Sequence, residues 1–140
     1  MSRSDRLRLN TLFIANIMKN VNNHIAIVIP NWNGEDFLKK CLDSLLKQTI
    51  NCTIIIVENG SVDSSDKILA IYGSKIVVLK QPNNLGFAGG VNVGIRYAID
   101  NGLDYVALFN NDAVADTQWL EELAQTLASD ESVGIATPKM

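Results

Sequence analysis

From His24 onward the chain alternates short, unbroken runs of β-branched residues with stretches of helical periodicity, and few folds accept that pattern. A run such as IAIVI has no polar face to offer water, so it needs cover on both sides, as in a parallel sheet whose crossovers are helices. Runs of this kind occupy 25–29, 53–57, 75–79, 105–109 and 133–136, which predicts five strands. Between them, Phe37, Leu38, Cys41, Leu42, Leu45 and Leu46 form one apolar stripe within a helix over 35–48. Further helices are expected near 64–72 and 90–101, and from Asp116 or Thr117, where Trp119, Leu120, Leu123 and Leu127 recur. The expected fold class is α/β: an open, doubly wound, mostly parallel sheet with helices on both faces.

With 140 residues, 47% of them hydrophobic, the chain can bury one core. Its formal charge of −3 argues against a nucleic-acid partner, so any phosphate it holds is balanced by something other than bulk charge. Cys41 and Cys52 lack zinc-site spacing and read as free thiols of a reducing, cytoplasmic setting. His24 has no catalytic partner in the sequence and reads as an ordinary polar residue. No uncharged apolar run reaches the roughly 18 residues of a membrane span.

Residues 1–23 differ in character, with Arg3, Arg6 and Arg8 followed by Leu9, Leu12, Phe13, Ile14, Ile17 and Met18. Two readings stand: a disordered extension upstream of a start at Met18, or an amphipathic helix lying on the inner face of a membrane. Residues 24–140 form the folded part in either case.

In a doubly wound sheet the loops that follow the strands share one edge, and ligands bind there. The unusual residues of this sequence sit in those loops: Pro30-Asn31-Trp32-Asn33-Gly34, Glu58-Asn59-Gly60-Ser61-Val62-Asp63, Gln81-Pro82-Asn83-Asn84-Leu85-Gly86 and Asn110-Asn111-Asp112. Each alone is ordinary turn chemistry; four on one edge, with a Trp and acidic residues among them, point to a binding cleft. Trp32 is either a platform for a flat base or sugar, with Asn33 hydrogen-bonding beside it, or a core residue under the sheet edge. Glu58 and Asp63 suit a base N–H or a ribose hydroxyl, and Asp63 equally suits a helix cap. The run Gly86-Phe87-Ala88-Gly89-Gly90 lets backbone approach an anion before a helix, although it is neither G-x-G-x-x-G nor a P-loop.

Asp112 is the sharpest single feature, a carboxylate placed directly after an apolar strand. A hard cation such as Mg²⁺ or Mn²⁺ takes oxygen ligands, often one or two from protein and the rest from phosphates and water. Held at Asp112, it would offset the charge of a diphosphate.

These segments together resemble the inverting family 2 glycosyltransferases of GT-A fold, from about residue 25 to residue 139. IAIVIPNWNG is similar to the opening strand and nucleotide-binding loop, and IIIVENGSVDSS to the V-D-N-G-S-x-D-x-S element. NLGFAGGVNVGI and LFNNDAV are similar to the glycine-rich segment and the degenerate D-x-D motif of rhamnosyl- and galactofuranosyl-transferase-like members. The resemblance implies a nucleotide-diphospho-sugar transferase fold that is truncated at its C-terminus. It implies that Pro30, Trp32 and Asn33 line the nucleoside pocket, that Glu58 contacts the base, and that Asn59 and Ser61 shape the loop. Gly89 and Asn92 would border the nucleotide. Asn110 and Asp112 take the outer D-x-D positions, with Asp112 the contact to metal and diphosphate. Glu58 stands where the family has Asp, and Asn110 where it has its first motif acid.

The activity implied is transfer of a sugar with inversion, rhamnose first and galactofuranose next, from a dTDP- or UDP-sugar to a glycan or lipid-linked acceptor. The family's general base would lie beyond Met140, so no catalytic residue is assigned, and Asp116, Glu121 and Glu122 read as solvated helix-start acids. The alternative is a non-catalytic nucleotide-binding module. A dinucleotide oxidoreductase is disfavoured, because Pro30-Asn31-Trp32-Asn33 stands where G-x-G-x-x-G belongs.

Overall fold

A computed structural model describes residues 24–130 and 132–138, so both readings of residues 1–23 lie outside the described residues. Four strands form one parallel sheet: β1 (Ile25–Asn31), β2 (Thr53–Glu58), β3 (Val77–Lys80) and β4 (Tyr105–Leu108). Their order is β3-β2-β1-β4, with Val28 level with Ile55 on one side and Leu108 on the other. Four helices alternate with them: α1 (Leu38–Leu45), α2 (Ser65–Tyr72), α3 (Gly86–Asp100) and α4 (Trp119–Ser129).

The β-branched runs are covered on both faces, as their lack of a polar side requires. Ile25, Ile27 and Ile29 of β1 point into a core built with Leu38, Leu42 and Leu45 of α1, Leu69 of α2, and Leu120 and Ala124 of α4. Ala26 and Val28, on the opposite face, pack with Ala98, Val93 and Tyr97 of α3. The connections explain the division. Right-handed crossovers carry the chain outward from β1 to β3 with α1 and α2 on one face; returning past β1 to β4 puts α3 on the other. The direction of winding therefore reverses between β1 and β4, and the crevice beyond their carboxyl ends is where such a fold presents a site.

Several element boundaries differ from the sequence expectation. The strand expected over 133–136 is absent among the described residues. Val133 instead donates its N–H to the Asp130 carbonyl in a turn, Asp130 also accepts from Ser132, and Ile135 is 84% exposed. A four-residue run with Gly134 at its centre has too little to bury to define a strand without a ladder partner. The segment flanks β4 and α4 across a recess of about 220 Å³, lined in part by Tyr105, Leu123, Leu127 and Ile135. β3 begins at Val77 because Gly73–Lys75 form a 3-10 turn, with Gly73 at φ +53°. α3 begins at Gly86, a turn earlier than the helix expected from residue 90, so its glycine-rich opening lies inside the helix.

Gly94 sets how closely α3 approaches β1, since a Cβ there would run into the Val28 side chain. Gly94→Ala is expected to destabilise the fold by about 1–3 kcal/mol through overpacking. Gly134→Ala, with open space around it, is expected to change stability by less than about 0.5 kcal/mol. Urea denaturation of the two variants checks the contrast, and equal midpoints would contradict the close packing.

Candidate functional site at the sheet edge

The loops after the four strands are joined to one another at the carboxyl edge. Asn31, the last residue of β1, has no exposed surface. Its Nδ2 donates to Glu58 Oε2 at 2.6 Å, and its Oδ1 accepts from Asn111 Nδ2 at 2.8 Å. Glu58, 3% exposed at the end of β2, also accepts the Ser61 amide at Oε1, 2.7 Å away. A buried carboxylate held by two donors is satisfied as a charge-assisted acceptor, which is how a fold tolerates it.

The loops after β1 and β2 are laced further. The Asn33 amide donates to Ser61 Oγ at 2.9 Å and Asn33 Oδ1 accepts from the Val62 amide at 2.9 Å, with Asn33 itself at φ +51°. Asparagine tolerates that left-handed conformation better than other side chains. Asp63 Oδ2 accepts the Glu35 amide, its Oδ1 the Ser65 amide, and Glu35 Oε2 accepts the Ser64 amide in return. Partial loss of hydration opposes ionisation of Asp63, but the hydrogen bonds from Ser65 and the Glu35 amide outweigh it and hold the carboxyl below the usual range. Asp63 is not the N-cap of α2, which is Ser64, but precedes it and braces the entry to the helix through the Glu35 and Ser65 amides.

The third loop joins through backbone. Gln81 N–H donates to the Glu58 carbonyl at 2.8 Å, and Gly60, at φ +71°, faces the Asn83 backbone so closely that a Cβ would touch it. Asn59 is buried, its Nδ2 donating to the Gly86 carbonyl at 3.3 Å at the start of α3. A Cβ on Gly90 would come within 2.7 Å of Asn59 Nδ2 and 3.1 Å of Pro30 Cβ, so the glycine lets α3 settle onto both. Asn59 Oδ1 is buried without a partner among the described residues. An orphan acceptor of this kind costs about 1–3 kcal/mol and is usually relieved by a donor from ligand or water.

The fourth loop is a turn pinned from below. Cys41 Sγ–H points at the Asn110 carbonyl, 3.6 Å away, Ala113 N–H closes onto the same carbonyl, and the Ala115 amide meets Ser44 Oγ at 3.0 Å. Phe109 stacks edge-on against Trp119, ring centroids 4.9 Å apart. Asn110 and Asp112 are exposed above this support. Among the described residues no group of three or more His, Cys, Asp and Glu side chains is gathered to hold a metal. A hard cation at Asp112 would therefore draw its other ligands from phosphate oxygens and water, a donor set that such ions accept.

Structure thus brings Pro30, Asn33, Glu58, Asn59 and Ser61 into one hydrogen-bonded or packed assembly, and leaves Trp32, 54% exposed, projecting from it. That removes the core reading of Trp32. Gly89 lies in the first turn of α3, half-buried, while Asn92 is exposed farther along that helix. Sequence reasoning passed over Asn31 and Asn111 as site residues. The signal was present: an amide closing an otherwise apolar strand has to find polar partners when buried. The acids at and just before the start of α4 are engaged locally. Asp116 Oδ1 accepts the Gln118 amide and Glu121 Oε2 the Thr49 hydroxyl at 2.6 Å.

A parallel α/β sheet with its polar loops gathered at the β1/β4 reversal belongs to the open, doubly wound class of fold, which presents its ligand site at that edge. Residues 26–138 match Glycosyl transferase family 2, and the chain belongs to that family. It is 30% identical over 121 residues to the glycosyltransferase GlyA of Streptococcus pneumoniae serotype 4, an alignment that covers 81% of this chain and 17% of that relative. S. aureus TarS 1-349, solved with UDP-GlcNAc, superposes with a TM-score of 0.67 at 20% identity, covering 82% of this chain and 37% of TarS 1-349. Mannosyltransferase PcManGT from Pyrobaculum calidifontis, solved with GDP-Man and Mn²⁺, gives 0.65 at 16% identity, over 81% of this chain and 34% of that one. Both likenesses place the fold as GT-A. The chain spans well under half the length of these proteins.

Burial pushes the Cys41 thiol up to about 12, with the Asp112 charge adding to the effect, and burial alone lifts Cys52 to about 11. Since only the thiolate reacts, native protein at pH 8 should resist iodoacetamide at both cysteines and react promptly once denatured. Asp112→Asn is expected to bring the onset of Cys41 alkylation to lower pH. An unchanged profile would show that the carboxylate is not held over that thiol.

Proposed function

We propose that the loop edge is the donor site of a sugar transferase, binding a nucleoside diphosphate sugar with a divalent cation for inverting transfer to a glycan or lipid-linked hydroxyl. The observation that carries this reading is the contrast within the edge. Asn31, Glu58, Asn59 and Ser61 are locked into a rigid floor, while Trp32, Asn110 and Asp112 are exposed above it. A preorganised floor with free stacking and charged groups is what a ligand site needs.

Trp32 stacks on the base, and Asn33 and Pro30 shape the pocket beside it. The buried Asn59 carbonyl takes a donor from the ligand, such as a base N–H or ribose hydroxyl, which ends its orphan state. Gly89 and Asn92 border the nucleotide, and the first turn of α3 beyond Gly86, whose own amide is taken by Asn84 Oδ1, faces a phosphate with its amides. Asn110 and Asp112 face the diphosphate, where Asp112 would hold Mg²⁺ or Mn²⁺; the cation supplies the positive charge that stabilises the leaving diphosphate. Family membership and the UDP-GlcNAc and GDP-Man complexes of the neighbours support a nucleotide-sugar donor. We take the donor as a dTDP- or UDP-sugar with rhamnose as the sugar, on the motif resemblance alone. Two free thiols, Cys41 fully buried, support a cytoplasmic setting. Among the described residues no helix is long and apolar enough to cross a membrane; peripheral contact with the membrane's inner face belongs to the proposal on the sequence of residues 1–23.

Calorimetric titration with UDP, dTDP and NAD, each with and without Mn²⁺, tests the donor site. Binding of a nucleoside diphosphate that strengthens with Mn²⁺ and weakens with Asp112→Ala is the expected result. Tight NAD binding indifferent to metal would sink the reading. Trp32→Ala is expected to cost about 1–3 kcal/mol of nucleoside affinity, the worth of one base–aromatic stack.

A further inference from the structure

We propose that Glu58, Asn31 and Asn111 form a polarity-setting relay from the end of β2 to the loop carrying Asp112, through which Glu58 acts on the diphosphate end of the site without touching the ligand. The proposal rests on the donor-site reading above.

An asparagine side chain has two ends of similar shape, one donating and one accepting, and its neighbours decide which way it lies. A carboxylate only accepts. Both Glu58 oxygens are engaged, Oε1 by the Ser61 amide at 2.7 Å and Oε2 by Asn31 Nδ2 at 2.6 Å, and the residue is 3% exposed. Asn31 must therefore turn its amino group to β2 and its carbonyl to β4. That carbonyl in turn selects the amino group of Asn111, 2.8 Å away. Asn111 Oδ1 is left as the far end of the chain, on a half-buried residue one position before Asp112.

The relay spans three elements that are far apart in sequence, at separations of 27 and 80 residues. It is also confined. A Cβ on Gly34 would collide with both Asn31 Oδ1 and Asn111 Nδ2, so the backbone there closes over the amide pair. An aspartate at position 58 would stop one methylene short of these partners. The glutamate at this position thus has a specific use: it is long enough to dictate the orientation of Asn31, and Asn31 that of Asn111.

Glu58→Gln keeps the shape and gives position 58 a donor end, which confronts either the Asn31 amino group or the Ser61 amide. The two amides are then free to invert. In the 140-residue chain, the probes are uridine and UDP, with and without Mn²⁺. Glu58→Gln is expected to weaken UDP with Mn²⁺ more than uridine, and the difference between the two losses is the part carried by the relay. The Mn²⁺-dependent gain in UDP affinity should fall by about fivefold or more, the worth of one hydrogen bond. Asn111→Ala, at the half-buried end of the relay, should produce the same split and carries the test if Glu58→Gln fails to fold. The double variant should lose no more than the worse single.

Additive losses, or a Glu58→Gln defect equal for uridine and UDP, would overturn the relay in favour of direct base contact. Wild-type gain with Mn²⁺ that both variants retain would overturn the relay alone. Wild-type protein that binds no UDP would remove the donor site and the relay together.

Discussion

The buried amide of Asn31 is the point on which the sheet edge depends. β1 is an inner strand, apolar on both faces, and it ends in a polar side chain with no access to water. Such a group is stable only if every donor and acceptor is paired. Asn31 is paired to β2 through Glu58 and to the loop after β4 through Asn111, so its own satisfaction fixes two other loops. Its backbone does the same, its carbonyl accepting the Asn59 amide at 2.8 Å.

This arrangement follows from the topology. Strand order β3-β2-β1-β4 puts β1 between β2 and β4, with winding reversed at the β1/β4 step. The loop after β1 therefore has neighbours on both sides that approach from opposite directions and leave a crevice between them. Residues under the crevice are exchanged among backbone and amides, which makes the floor stiff. Residues above it have no partners of their own. Trp32, Asn110 and Asp112 are exposed for that reason, and the division between held and free groups makes the edge suited to a ligand that is flat at one end and charged at the other.

Much of this was legible beforehand. The β-branched runs marked all four strands within a few residues, because a run that must be buried on both faces tolerates no polar residue. Trp32 and Asp112 were visible as chemistry out of place in turns. The fifth strand was misread because VGIA satisfies the same local rule, yet a run becomes a strand only when a neighbour offers its ladder. The helix opening at Gly86 was missed because glycine propensity argues against a helix start there, and packing of Gly90 onto Pro30 and Asn59 overrides it.

Sequence alone determined what period of burial could specify: parallel strands, the crossovers between them, and therefore which loops share an edge. It also named the residue types available there. The role of each was decided by tertiary structure, because it depends on partners 27 to 80 residues away. Glu58 and Asp112 are both acids in polar loops, indistinguishable by composition. One is buried under three converging segments and holds them together; the other stands clear of them, and only the fold separates the two.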